Sequence, residues 1–202
     1  MTEAAVALTL WAVFGLLGFG WRSWLQRRRT GSTGFRGISG RIGSTEWLAG
    51  VGFVAALVVA VAGPVLQLCG VVTPFVHEAW IHIVGIVAAV VGIMLLVWAQ
   101  IDMGDSWRIG VDDSETTALV STGVFGRVRN PTYTAMLAFA AGIALVAPNF
   151  VAIVGFALLV AAIELQVRRV EEPYLLSKHG DACRAYTASV GRFIAGVGLI
   201  HR

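Results

Sequence analysis

Apolar residues fall in five runs separated by polar stretches: Ala4 to Trp21, Trp47 to Leu68, Ala79 to Ile101, Thr132 to Ala147 and Phe150 to Val167. A helix needs about 20 apolar residues, within roughly 17–25, to cross the hydrocarbon core of a bilayer. The second and third runs are ample and the first is adequate. The fourth is short, and the fifth carries Glu164 near its inner end. Ala147-Pro148-Asn149 joins those two, a breaker at which the chain must reverse. The pattern predicts an all-α polytopic membrane protein with about five transmembrane helices. Its last two spans form a short hairpin that need not reach the outer surface.

Charge placement orients this arrangement. Arg22, Arg27, Arg28, Arg29, Arg36 and Arg41 occupy the first gap, and Arg108, Arg127 and Arg129 the third. Arg168, Arg169, Lys178, Arg184, Arg192 and Arg202 follow the fifth run, whereas the second gap and the Pro148 turn carry no Lys or Arg. Five crossings put every basic residue on one face, which the positive-inside rule assigns to the cytoplasm. The expected N-terminus is outside and the C-terminus cytoplasmic. The first run lacks a basic leader and a clear small-residue cleavage site, so it reads as a retained span rather than a signal peptide. Composition agrees: 57% of the 202 residues are hydrophobic and 13% charged, against about 25% charged in soluble domains. The net charge of +3 therefore reads as membrane topology rather than a nucleic-acid surface. The length suits a single membrane domain, with three helices in residues 1–101 and the chemistry in 102–202.

Two segments are too polar to be simple connectors, Asp102 to Asn130 and Glu164 to Arg192. Both fall on the cytoplasmic side, where they can meet. Pro131 disfavours a helical Asn130 and suits the first helical turn itself, so Asn130 is the expected N-cap of the fourth helix. Glu164, Arg168, Glu171 and Glu172 have the spacing of one helix face. That face begins where lipid would otherwise lie, and ionisable groups at such depth usually line a cavity. Tyr174 to Val190 is amphipathic enough for one short cytoplasmic helix. Cys69 and Cys183 are expected on opposite faces, too far apart for a disulfide, and no His/Cys cluster has metal-ligand spacing.

These polar segments carry a resemblance. Leu119-Val120-Ser121-Thr122-Gly123-Val124-Phe125, then Arg129-Asn130-Pro131-Thr132-Tyr133, then Glu171-Glu172 and Gly180 through Tyr186 to Arg192 resemble the isoprenylcysteine carboxyl methyltransferases. The related phospholipid methyltransferases share the pattern. The likeness covers about residues 100–194, in family order and at family-like spacing. It implies methyl transfer from S-adenosylmethionine to a lipophilic acceptor, with the cofactor entering from the cytoplasm and the acceptor from the bilayer. By position it assigns the cofactor pocket to Thr117, Ala118, Leu119, Val120, Phe125, Asn130, Pro131, Thr132 and Tyr133. Glu171 matches a cofactor contact, and Arg168, one position off the family's acceptor-associated Arg, is the nearest candidate for that role. Asn130 stands where the family commonly has His, and an amide cannot titrate as a base near neutrality.

The resemblance implies chemistry that needs no metal: a sulfonium is already activated, so the protein aligns donor and acceptor and excludes water. Aromatic faces attract a cation, which makes Tyr133, Phe125 and Trp107 candidates beside it, although each also suits an interfacial anchor. Tyr133 and Arg168 are the residues expected nearest the reaction. Without a His base, a carboxylate or thiolate acceptor is favoured, since neither needs proton removal. The expected partners are the acceptor and membrane lipids. The compact form and lack of organelle signals point to a bacterial plasma membrane. His77, His82, His179 and His201 match no catalytic pattern. Two other readings use the same spans: a membrane-embedded NADPH-dependent sterol-type reductase, and a non-enzymatic small membrane protein.

Overall fold

The computed structural model describes residues 2–34, 37, 38, 40–104, 107 and 119–200, and among them the chain is helical with no strand. Five helices follow in order: α1 (Thr2–Thr30), α2 (Thr45–Leu68), α3 (Ala79–Met103), α4 (Pro131–Val146) and α5 (Phe150–Ser189). Four are long and apolar enough to cross a membrane. At 16 residues α4 is shorter, about 24 Å by the helical rise, as its short apolar run requires. Val58, Trp80 and Val87 on α2 and α3 are exposed, a surface that suits lipid and not water. The protein is a polytopic all-α membrane protein.

The helices pack as two close pairs, α3 along α4 and α2 along α5. Lipid offers no hydrophobic drive for helix association, so close backbone approach between small residues supplies the packing. A Cβ on Gly142 of α4 would come within 2.5 Å of the Ala89 backbone nitrogen in α3. One on Gly155 of α5 would come within 2.6 Å of Ala60 in α2. The first helix docks by aromatic packing, with Phe14 stacked on Phe139 at 4.1 Å between centroids and Trp11 edge-on to Phe139 at 4.8 Å.

One end of the bundle is tightly closed. Asn149, fully buried, caps α5 by accepting from the Ala152 N–H at 3.0 Å. Its Nδ2 donates to the Gly63 carbonyl and to Gln67 Oε1 of α2 at 3.1 and 2.9 Å. The Phe75 N–H bonds the Pro148 carbonyl at 3.0 Å. His82 lies 3.1 Å from the Val146 carbonyl through Nδ1. A carbonyl only accepts, so this nitrogen donates, and the histidine covers an orphan group in the last turn of α4.

Two helices run further than the apolar pattern predicts. The first continues past Trp21 to Thr30, through a π-helical turn at Leu16–Trp21. The last continues past Val167 to Ser189, through a π-helical turn at Val167–Glu171 and a kink at Gly180 (φ 50, ψ −121). The expected separate helix over Tyr174 to Val190 is thus the distal half of α5. A hydropathy boundary marks where the chain leaves lipid, which need not be where hydrogen bonding stops.

Candidate functional site

The end of the bundle opposite Asn149 is held by a charged lattice around an open cavity. The C-terminal segment returns beside the entry to α4, where the Arg129 and Asn130 N–H groups donate to the Gly191 and Arg192 carbonyls at 2.8 and 3.1 Å. Asn130 stands at the N-cap position but makes no capping bond. Its Nδ2 donates to the Arg192 carbonyl of the returning segment at 3.1 Å. Arg129 spends its guanidinium on the Thr187, Val190 and Gly198 carbonyls and on Glu172, at 2.7 to 3.0 Å. Glu172 also takes Arg192, whose Nε lies 2.7 Å from Oε1. That hydrogen bond raises the Arg192 pKa above its ordinary value and keeps it cationic. The carboxylate, 17% exposed, is shared by two arginines, which offsets its partial desolvation.

The cavity has a volume of about 810 Å³, within the range of about 300–1,000 Å³ for small-molecule sites. Leu119, Val120, Phe125, Asn130, Pro131, Thr132, Tyr133 and Glu171 all line it. Eight of the residues that the sequence pattern singled out are therefore brought together around one space. Thr117 and Ala118 lie outside the described residues. Trp107 lines the cavity as well and is buried, with the Arg22 guanidinium over its ring at 4.9 Å.

At the wall, the Tyr133 hydroxyl donates to Glu171 Oε1 at 2.5 Å, and Gln166 Nε2 donates to the same oxygen at 3.3 Å. The Tyr133 ring stands edge-on to Phe53 of α2, with centroids 6.4 Å apart. The π turn decides which glutamate arrives here. In it the Glu172 N–H donates to the Val167 carbonyl, five residues back. One extra residue in the turn rotates everything after it by about 100°. The expected single face of Glu164, Arg168, Glu171 and Glu172 is therefore divided. Glu164 and Arg168 pair with each other on the exposed side, Glu171 reaches the cavity, and Glu172 reaches the two arginines. Arg168 is not in the cavity lining; its side chain is 54% exposed.

The N-terminal half supplies wall residues that no motif marked. Phe19 and Ser23 come from α1, Glu46, Gly50, Phe53, Val54 and Leu57 from α2, and Gln100 and Met103 from α3. Gln100 and Gln166 each stand out in the sequence as an amide at the inner end of an apolar run, which was the available signal. Among the described residues, three polar atoms of the lining side chains are buried without a partner: Gln100 Oε1, Arg129 Nε and Thr132 Oγ1. Among the described residues no group of three or more His, Cys, Asp or Glu could hold a metal.

Comparison with known proteins matches residues 80–182 to the phospholipid methyltransferase family. No curated protein matches the chain. Among solved structures the chain is similar to a eukaryotic intramembrane Ras methyltransferase, an isoprenylcysteine carboxyl methyltransferase. The TM-score is 0.63 at 19% identity, covering 96% of this chain and 67% of that one. At that identity the likeness concerns the fold. It extends over α1 and α2, which precede the family match.

Proposed function

Because this chain belongs to the phospholipid methyltransferase family, we propose that it transfers a methyl group from S-adenosylmethionine to a lipophilic acceptor, inside the cavity ringed by Phe125, Tyr133 and Glu171. The observation that carries this reading is the meeting of the Asn130-to-Tyr133 turn with Glu171 on one wall, joined by the 2.5 Å bond from Tyr133. A carboxylate beside aromatic rings fits a cationic cofactor, and the unpartnered Thr132 Oγ1 leaves a polar contact for it. S-adenosylmethionine supplies a methyl group on a sulfonium, already activated for in-line displacement. Glu171 pairs with the ammonium, and Tyr133 orients that carboxylate through its hydroxyl. Phe125 lines the same space, where an aromatic ring would suit the sulfonium, whereas the Trp107 ring already carries the Arg22 guanidinium. Phe53, Val54 and Leu57 exclude water and take the apolar part of the acceptor.

The acceptor preference shifts from the sequence expectation. A carboxylate acceptor would need a cation, and Arg168, the candidate for that task, is engaged with Glu164 outside the lining. Arg129 does line the cavity, but its terminal nitrogens are committed to carbonyls and Glu172, which leaves only its buried Nε without a partner. Glu46 and Glu171 add negative charge to the wall. This supports an acceptor with no carboxylate of its own. We also place the N-terminus outside and the C-terminus in the cytoplasm, from the distribution of Lys and Arg. Single cysteines at Val72 and Ser177 should then label from opposite sides, and labelling from one side would reject that orientation.

The test is direct binding to the protein purified in detergent. Wild type should bind S-adenosylmethionine in a calorimetric titration and show no binding of NADPH. Glu171→Gln should weaken S-adenosylmethionine by about 10- to 150-fold, the equivalent of roughly 1.5–3 kcal/mol for a charge-assisted hydrogen bond. Binding of NADPH in place of S-adenosylmethionine would replace this reading with a reductase.

A further inference from the structure

Gln100, on the α3 side of the cavity wall, carries a polar atom that no other described residue satisfies. In the π turn of α1, the Arg22 N–H donates to the Phe19 carbonyl rather than to Gly18, its partner in an unbroken α-helix. The Gly18 carbonyl instead accepts from Gln100 Nε2 of α3 at 2.8 Å. The approach is close, since a Cβ on Gly18 would meet the Leu96 side chain at 2.6 Å. This bond fixes the orientation of the amide. With Nε2 held by Gly18, Oε1 is left with no partner, on a residue only 1% exposed that lines the cavity. A buried unpaired acceptor is costly, so native structures rarely retain one without a role.

We propose that Gln100 Oε1 is a specificity-determining contact that receives a hydroxyl carried by the methyl acceptor, while the acceptor's apolar chain lies along Phe19, Phe53 and Leu57. The inference rests on the proposed reading of the cavity as a methyl-transfer site. An amide oxygen only accepts, so it selects for a donor and against an ether or ester oxygen at the same place. It selects for a neutral donor as well. A single amide oxygen in so buried a position does not repay the desolvation of an ammonium. The role of α1 follows: its π turn presents the carbonyl that turns Gln100 toward this task, although α1 precedes the residues matched to the family.

The experiment compares two isomeric probes, dodecan-1-ol and 1-methoxyundecane, as competitors of a fluorescent apolar dye bound to the detergent-solubilised full chain. Their partitioning into detergent is measured separately and divided out. Wild type should prefer the alcohol by about 5- to 10-fold, the worth of one neutral hydrogen bond, and Gln100→Met should reduce that ratio to about one. If the Met variant fails to fold, Gln100→Lys keeps a donor for Gly18, lacks an acceptor, and should abolish the preference equally. Dodecan-1-amine should not gain over the alcohol in wild type. Equal binding of alcohol and ether by wild type, a preference that survives both substitutions, or an amine that depends on Gln100 more than the alcohol does would each overturn the proposal. S-adenosylmethionine binding is measured in parallel. It should be unchanged in the Gln100 variants, so its absence from wild type would refute the methyl-transfer reading while leaving the probe result legible.

Discussion

The two ends of the helix bundle solve the same problem with opposite results. Where α4 turns into α5, Asn149 is fully buried and its amide donates to three acceptors while its oxygen caps α5. Small residues bring the backbones together beside it, as at Gly63 against Ala152. At the other end the helices part around about 810 Å³ of space, and ion pairs, not close packing, hold the rim. Polar groups at the first end are consumed by the fold. At the second, Gln100 Oε1, Arg129 Nε and Thr132 Oγ1 are left over among the described residues. Satisfaction of hydrogen bonds thus separates an end that only holds the bundle from an end equipped to bind.

The sharpest way to break this contrast is at Glu172. Glu172→Ala takes the carboxylate from Arg192 and one of four acceptors from Arg129, whose side chains are 11% and 4% exposed, and removing one partner of a buried ion pair costs up to about 3–5 kcal/mol. A thermal melt in detergent should show severe loss of stability, with Glu172→Gln intermediate because it still accepts hydrogen bonds. A melting temperature near wild type for Glu172→Ala would mean that the rim is held by something else. Asn149→Ala comes next. Losing a cap costs about 0.5–2 kcal/mol, and Gln67 loses a partner as well. Stability should fall measurably, yet the affinity for S-adenosylmethionine in the folded fraction should stay unchanged, because the closed end does not reach the cavity. Coupled losses of stability and affinity would show that the two ends are not independent.

The smallest effect is expected at Arg168. Its pair with Glu164 is largely exposed, and such pairs contribute about 0–1 kcal/mol. Arg168→Ala should leave melting, cofactor affinity and methyl turnover close to wild type. A tenfold drop in turnover with unchanged cofactor affinity would bring Arg168 back to the acceptor.

Much of this organisation was legible without coordinates. Apolar runs of membrane-spanning length, a breaker at Pro148 and basic residues confined to alternate gaps specify a helical membrane protein, because a bilayer permits few other ways to satisfy the backbone. The motif order assembled most of one cavity wall, since residues 119–133 and 166–175 are short segments whose chemistry is carried by local type and spacing. What the tertiary structure alone decided is where an unbroken helical period fails. The π turn at Val167–Glu171 inserts one residue per turn, so Glu171 and Glu172 serve a cavity and an ion lattice while Arg168 is left outside. The π turn at Leu16–Trp21 likewise redirects one carbonyl to Gln100. Such a turn is stabilised by contacts with helices distant in the chain, among them α3 through Gln100, so spacing along a single segment could not reveal it.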